Sequence, residues 1–215
     1  MNTTKFMSQN LCLNHLLGAQ AERTPEAVAI AAPGRIPLAY RRLRSHVDEV
    51  VETLNAMGLG RNDRVAIVLP NGPEMASAFL GVAAGATAAP LNPAYQRSEL
   101  DFYLGDLEAK ALIVQAKDES PARSVARRRG IPLIELSPIP DGEVGLFDLS
   151  RGRTPRQKSA TRLSAGFAQP EDIALVLHTS GTTSRPKIVP LTQTNICASA
   201  RNIGTTLQLS PQDRC

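Results

Sequence analysis

Val65-Ala-Ile-Val-Leu-Pro-Asn-Gly-Pro-Glu-Met-Ala-Ser-Ala-Phe-Leu-Gly-Val-Ala-Ala-Gly-Ala-Thr-Ala-Ala-Pro-Leu-Asn92 holds, in order, a strand, a tight turn, a helix and a second strand. The unbroken apolar run Val65–Leu69 has the form of a strand buried on both faces, and Pro70-Asn71-Gly72-Pro73 is turn chemistry. A helix from Glu74 follows. Its small residues Ala76, Ala78, Gly81, Ala84 and Gly85 allow close approach to a sheet, and Ala88–Asn92 supplies the next strand. Strand, helix and strand in this rhythm mark an α/β domain with a mostly parallel sheet flanked by helices.

The rhythm extends in both directions. Upstream, Val28-Ala-Ile-Ala-Ala32 is a strand, Pro33-Gly34 a turn, and Leu43, Val47, Val50, Val51 and Leu54 line one face of a helix that Gly58 ends. Downstream, Ser98 is the expected cap of a helix whose apolar face is Leu100, Tyr103, Leu104 and Leu107. Ala111–Val114 and Pro132–Leu136 are strands around a basic surface helix at Arg123–Arg129. From Ser137 to Pro170 periodicity is lost among scattered Pro and Gly. The expected organisation is an α/β subdomain over 1–136, a connector loop over 137–170, and a strand, loop and helix over 171–215.

Composition narrows the function. The 215 residues are 42% hydrophobic and 20% charged, within the globular range. Aromatics are only 4% and Trp is absent, which argues against a stacking platform for single-stranded nucleic acid. The net charge of +4 traces to Arg151–Arg162, where five basic residues stand without an acidic one. That tract reads as a solvated loop. Cys12, Cys197 and Cys215 are widely separated, form no Cys-x-x-Cys pair and so suggest neither a disulfide framework nor a metal site. A reducing, cytoplasmic setting fits best. The amino terminus lacks a continuous apolar stretch of signal-peptide length, and Ala76–Ala89 is too short for the roughly 20 residues of a membrane span.

Chemistry concentrates behind Ile173-Ala-Leu-Val-Leu177, another run with the form of a buried strand, in His178-Thr-Ser-Gly-Thr-Thr-Ser-Arg-Pro-Lys187. Hydroxyls of Thr179, Ser180, Thr182 and Thr183 can donate to phosphate oxygens, Gly181 lets the backbone come close, and Lys187 adds a mobile positive charge. ATP is the natural ligand for such a loop. The spacing is not that of Walker A, because Pro186-Lys187-Ile188 lacks both the glycine before and the hydroxyl after the lysine. The residues equally suit a Ser/Thr-rich hairpin with Lys187 solvated. His178 adjoins the loop, where a structural role at the strand end is preferred to a chemical one. His15 and His46 read as ordinary helix residues, and Cys197 as a small packing residue in a helix following Thr192.

The run HTSGTTSRPK, followed by IVPLTQTN, closely resembles the phosphate-binding signature of the adenylate-forming superfamily of acyl-CoA synthetases, luciferases and peptide-synthetase adenylation domains. PLAYRRL and the stretch from GLGRNDRVAIVLPNGPEM to ALIV are similar to the amino-terminal region of the same family. AAPLNPAY looks more like the acyl- and aryl-CoA ligases, since adenylation domains more often carry aspartate where Asn92 stands. Two departures are Ser184 and Ile188, where the family usually has glycine.

The resemblance implies the amino-terminal part of the large domain of an acid–thiol ligase. Such enzymes form an acyl-adenylate from ATP with Mg²⁺, then pass the acyl group of a fatty, dicarboxylic or aromatic acid to CoA. Thr179, Ser180, Thr182, Thr183 and Lys187 would hold the β- and γ-phosphates, with Gly181 permitting the approach. Catalytic residues would lie beyond Cys215, so the chain by itself is expected to be an inactive fragment. The basic tract near Arg151 could instead meet an acidic membrane surface or a CoA phosphate. A domain that loads a carrier protein, and a non-catalytic nucleotide-binding module, are the alternative readings.

Overall fold

The computed structural model describes residues 11–152, 165–179 and 186–213. Among them a seven-stranded sheet has the order β7-β6-β5-β3-β4-β8-β9. It is built on β3 (Arg64–Val68), with β4 (Thr87–Pro90) on one side and β5 (Ala111–Gln115) on the other, both parallel to it. β6 (Leu133–Pro138) and β8 (Ile173–Thr179) extend the parallel set outward. β7 (Phe147–Arg151) and β9 (Lys187–Thr192) close the two edges antiparallel. A separate two-stranded antiparallel sheet pairs β1 (Val28–Ile30) with β2 (Leu38–Ala39).

The continuous apolar run of β3 is explained by helices on both faces. Val65 and Ile67 enter one cluster with Val50 and Leu54 of α2 (Tyr40–Ala56) and Ala78, Val82 and Ala83 of α3 (Pro73–Gly85). Ala66 and Val68 enter a second, with Leu100 and Leu104 of α4 (Arg97–Asp106) and Ala122, Val125 and Ala126 of α5 (Pro121–Arg129). Successive strand residues point to opposite faces, so a strand covered twice has no polar position to spare. α1 (Leu13–Arg23) and α6 (Gln193–Thr206) complete the described helices. α3 lies unusually close on α2: a Cβ at Gly81 would stand 2.7 Å from Val50 Cγ1, and one at Gly85 2.9 Å from Val51 Cγ1. Those two glycines make the approach possible.

Three details differ from the sequence reading. α4 begins at Arg97 with Gln96 as its N-cap, and the Glu99 carboxylate accepts from the Gln96 N–H at 2.8 Å, so Ser98 is inside the first turn rather than the cap. The stretch 137–170 is not all loop: β6 runs on to Pro138, and β7 pairs Phe147 with Pro138 and Leu149 with Leu136. Apolar and polar residues alternate in Phe147-Asp-Leu-Ser-Arg151, but the strand is five residues long amid glycines, so its period is easily lost. Finally, β8 is only half-buried. Ala174 and Val176 are interior, whereas Leu177 is 38% exposed.

Candidate functional site

In open α/β sheets ligands bind outside the carboxyl ends of the strands. β8 ends there at Thr179, and β9 returns from Lys187 in register, so Thr179 faces Lys187 across the mouth of a hairpin. Both side chains are exposed. Ser180, Gly181, Thr182, Thr183 and Ser184 lie outside the described residues, as do Cys215 and most of the basic tract after Arg151. The described residues thus form a hairpin whose two flanks, Thr179 and Lys187, both face solvent. The donor set suits an anion: a hydroxyl and an ammonium offer protons to phosphate oxygens. Among the described residues no group of three or more His, Cys, Asp or Glu could hold a metal ion.

A bulge decides which face the strand end shows. The β8–β9 register shifts between Ile173 and Leu175. Ile173 and Val176, three residues apart, both pack with the α4/α5 cluster, while Ala174 packs with the opposite one. One extra residue in a strand reverses the parity of all that follow. His178, two beyond Val176, is thereby delivered to α4. Its Nε2 lies 3.1 Å from Asp106 Oδ2, and its ring meets Tyr103 edge-on with centroids 4.7 Å apart. Tyr103 stacks in turn on Tyr95 at 4.8 Å, and burial with the contact to Tyr95 pushes its phenol up from the ordinary value.

The base of β8 is pinned as firmly as its end. Asp172, 6% exposed, accepts from Arg61 Nε at 2.5 Å, from Asn62 Nδ2 at 2.8 Å and from the Gln169 N–H at 2.6 Å. Burial alone would raise this carboxyl; the hydrogen bonds outweigh it and hold it below the usual carboxylate range. Thr87 Oγ1 donates to the Ile173 carbonyl at 2.7 Å, and the Gln193 N–H to the Asp172 carbonyl at 2.9 Å. Gln193 is wholly buried, donating from Nε2 to the Ala83 carbonyl and accepting the Leu13 N–H at 3.1 Å. α1, α3 and α6 thus meet through one amide.

Asn92 closes a local turn, accepting the Ala94 N–H at 2.9 Å. An aspartate would accept that bond equally well, so this contact does not by itself separate ligases from adenylation domains. Cys197 is fully buried, and burial raises its thiol, as expected of a packing residue. Burial, with Cys197 and Asp172 nearby, lifts the Cys12 thiol to about 11. Cavities open on the described surface. One of about 190 Å³, lined by Arg35, Asn71, Glu74 and Gln115 among others, sits at the carboxyl ends of β3 and β5. A larger one of about 370 Å³, with Lys110 and Pro132 in its wall, is at the amino ends of β5 and β6 and so away from the hairpin.

The sequence model of the AMP-binding enzyme family matches residues 17–215. The chain belongs to that family. A probable CoA ligase of Humulus lupulus is 40% identical over 209 residues, which are 96% of this chain and 39% of the relative. An oxalate–CoA ligase of Arabidopsis thaliana is 36% identical over 203 residues, 94% of this chain and 39% of that one. The crystal structure of ATP-bound MatB from Rhodopseudomonas palustris matches with a TM-score of 0.73 and 25% identity, over 95% of this chain and 39% of that one. The chain thus spans about two fifths of the length of these relatives, and the likeness to adenylate-forming enzymes read from HTSGTTSRPK is borne out at the level of family and fold. Sequence inspection missed Asp106, the bulge and the Asp172 node. Asp106 had a faint signal, as it follows Tyr103 by one helical turn.

Proposed function

We propose that this chain is the amino-terminal part of an ATP-dependent carboxylate–CoA ligase, and that the β8–β9 hairpin binds the β- and γ-phosphates of ATP. The observation that supports the reading is the pairing of Thr179 with Lys187 at the mouth of that hairpin, at the carboxyl ends of the parallel strands, where open α/β sheets commonly bind ligands. Thr179, Ser180, Thr182, Thr183 and Lys187 are the proposed donors, with Gly181 giving the backbone its close approach. Attack of a carboxylate oxygen on the α-phosphorus of ATP forms an acyl-adenylate and expels pyrophosphate; the CoA thiol then displaces AMP to give the thioester. Lys187 would offset charge that builds on the leaving pyrophosphate, with Mg²⁺ sharing it. Positioning and electrostatics would supply the catalysis contributed by this part of the protein.

For the acid we propose a short one bearing a second anionic group, the class to which oxalate belongs. The support is the oxalate–CoA ligase relative, aligned along 94% of this chain. The test uses the protein extended to its native stop codon, with ATP, CoA and a panel of oxalate, malonate, a long-chain fatty acid, cinnamate and alanine. Oxalyl-CoA or malonyl-CoA as the main product is expected. Transfer of an amino acid to a carrier-protein thiol, with no CoA thioester, would overturn the reading in favour of an adenylation domain.

A further inference from the structure

We propose that His178 is a positioning residue for nucleotide binding, held by Asp106 and Tyr103 so that Thr179 and Lys187 stay set at the mouth of the hairpin. This rests on the reading of that hairpin as the phosphate site. β9 is an edge strand, and β8 is the last parallel strand before it, so the hairpin leaves the sheet with support from one side only. Leu177 gives little help, being 38% exposed on the opposite face from His178. The strand end is instead fastened through the imidazole. Its side chain is only 7% exposed, its Nε2 is 3.1 Å from Asp106 Oδ2, and Tyr103 lies against its ring.

His178 is directly opposite Ile188, and Ile188 packs against the α4/α5 cluster beside it. Two neighbouring side-chain contacts thus secure the two strands one residue inside the Thr179–Lys187 pair. The arrangement has a local cost. Asp106 is the last residue of α4, where the negative end of the helix dipole opposes a carboxylate, and a donor at Nε2 offsets this. A rigid support shell is what keeps donor groups within the fraction of an ångström that phosphate binding requires. Tyr95, beyond Tyr103, backs the stack from the loop after β4.

The test is the affinity for MgATP by titration calorimetry, on the protein extended to its native stop codon, alongside thermal unfolding. His178→Phe keeps the ring and removes the hydrogen bond; Asp106→Ala removes the partner; Asp106→Asn keeps an acceptor. Both His178→Phe and Asp106→Ala should weaken MgATP about tenfold, the loss of one charge-assisted hydrogen bond. The double variant should be no weaker than either single one, and Asp106→Asn should recover most of the affinity. Unchanged MgATP affinity in His178→Phe, with Lys187→Ala weakened, would overturn this inference and leave the phosphate site standing. Unchanged affinity in Lys187→Ala as well would overturn both. Lowered thermal stability with unchanged affinity in both single variants would make the contact a structural one and overturn it too.

Discussion

His46 is 4% exposed on α2, its ring edge-on to Phe147 at 4.4 Å, with Nε2 buried and without a hydrogen-bond partner. Burial depresses its pKa below the ordinary value; Arg42 adds to the depression, while Glu49 and Asp148 oppose it. The imidazole is therefore neutral in the fold and takes up a proton more readily once the chain opens. Stability is then fully present above the ordinary histidine range and falls as pH drops below it toward the depressed folded value. Thermal melts from pH 8 to pH 5 should show a fall that His46→Phe lessens, and equal slopes in the two proteins would contradict the assignment. The sequence pattern alone made this an ordinary helix position. What it lacked was β7, which brings Phe147 over the ring.

Among elements, the α2–α3 contact is a close backbone approach onto branched side chains. Gly81→Val would drive a branched side chain into Val50, whose Cγ1 is 2.7 Å from the modest Cβ alone. A cost of about 2 kcal/mol is expected in urea unfolding, partly recovered by Val50→Ala. No loss in Gly81→Val would show that the helices part without penalty. The small residues of α3 announced this close approach in the sequence, as Val65–Leu69 announced the central strand, because both are fixed by local composition. The parity of β8 was not so fixed. A bulge between Ile173 and Leu175 is set by pairing with β9, and residues from Val176 onward change face with it. That is why HTSGTTSRPK could be located by eye while the partner of His178 could not.

Across the whole molecule, Asp172 joins the loop before β3, the start of β8 and the start of α6. Asp172→Ala should lose about 2 kcal/mol, since Arg61 and Asn62 then give up their acceptor. Because the folded carboxyl is held below the usual range, its contribution is present above the ordinary carboxylate pKa and lost as pH falls through the folded value. Asp172→Asn should accordingly show a flatter stability profile between pH 5 and pH 3. A profile as steep as that of the unmodified protein would contradict this. The node seats the strand that carries the hairpin.

The central claim is that this hairpin holds the phosphates of ATP through Lys187. Carboxylate-dependent exchange of pyrophosphate into ATP, measured on the protein extended to its native stop codon with and without Lys187→Ala, tests it most directly. The account predicts exchange in the unmodified protein and a loss of about 100-fold in the variant, in line with removal of one charge from a transition-state site. Equal exchange in the two proteins would contradict it.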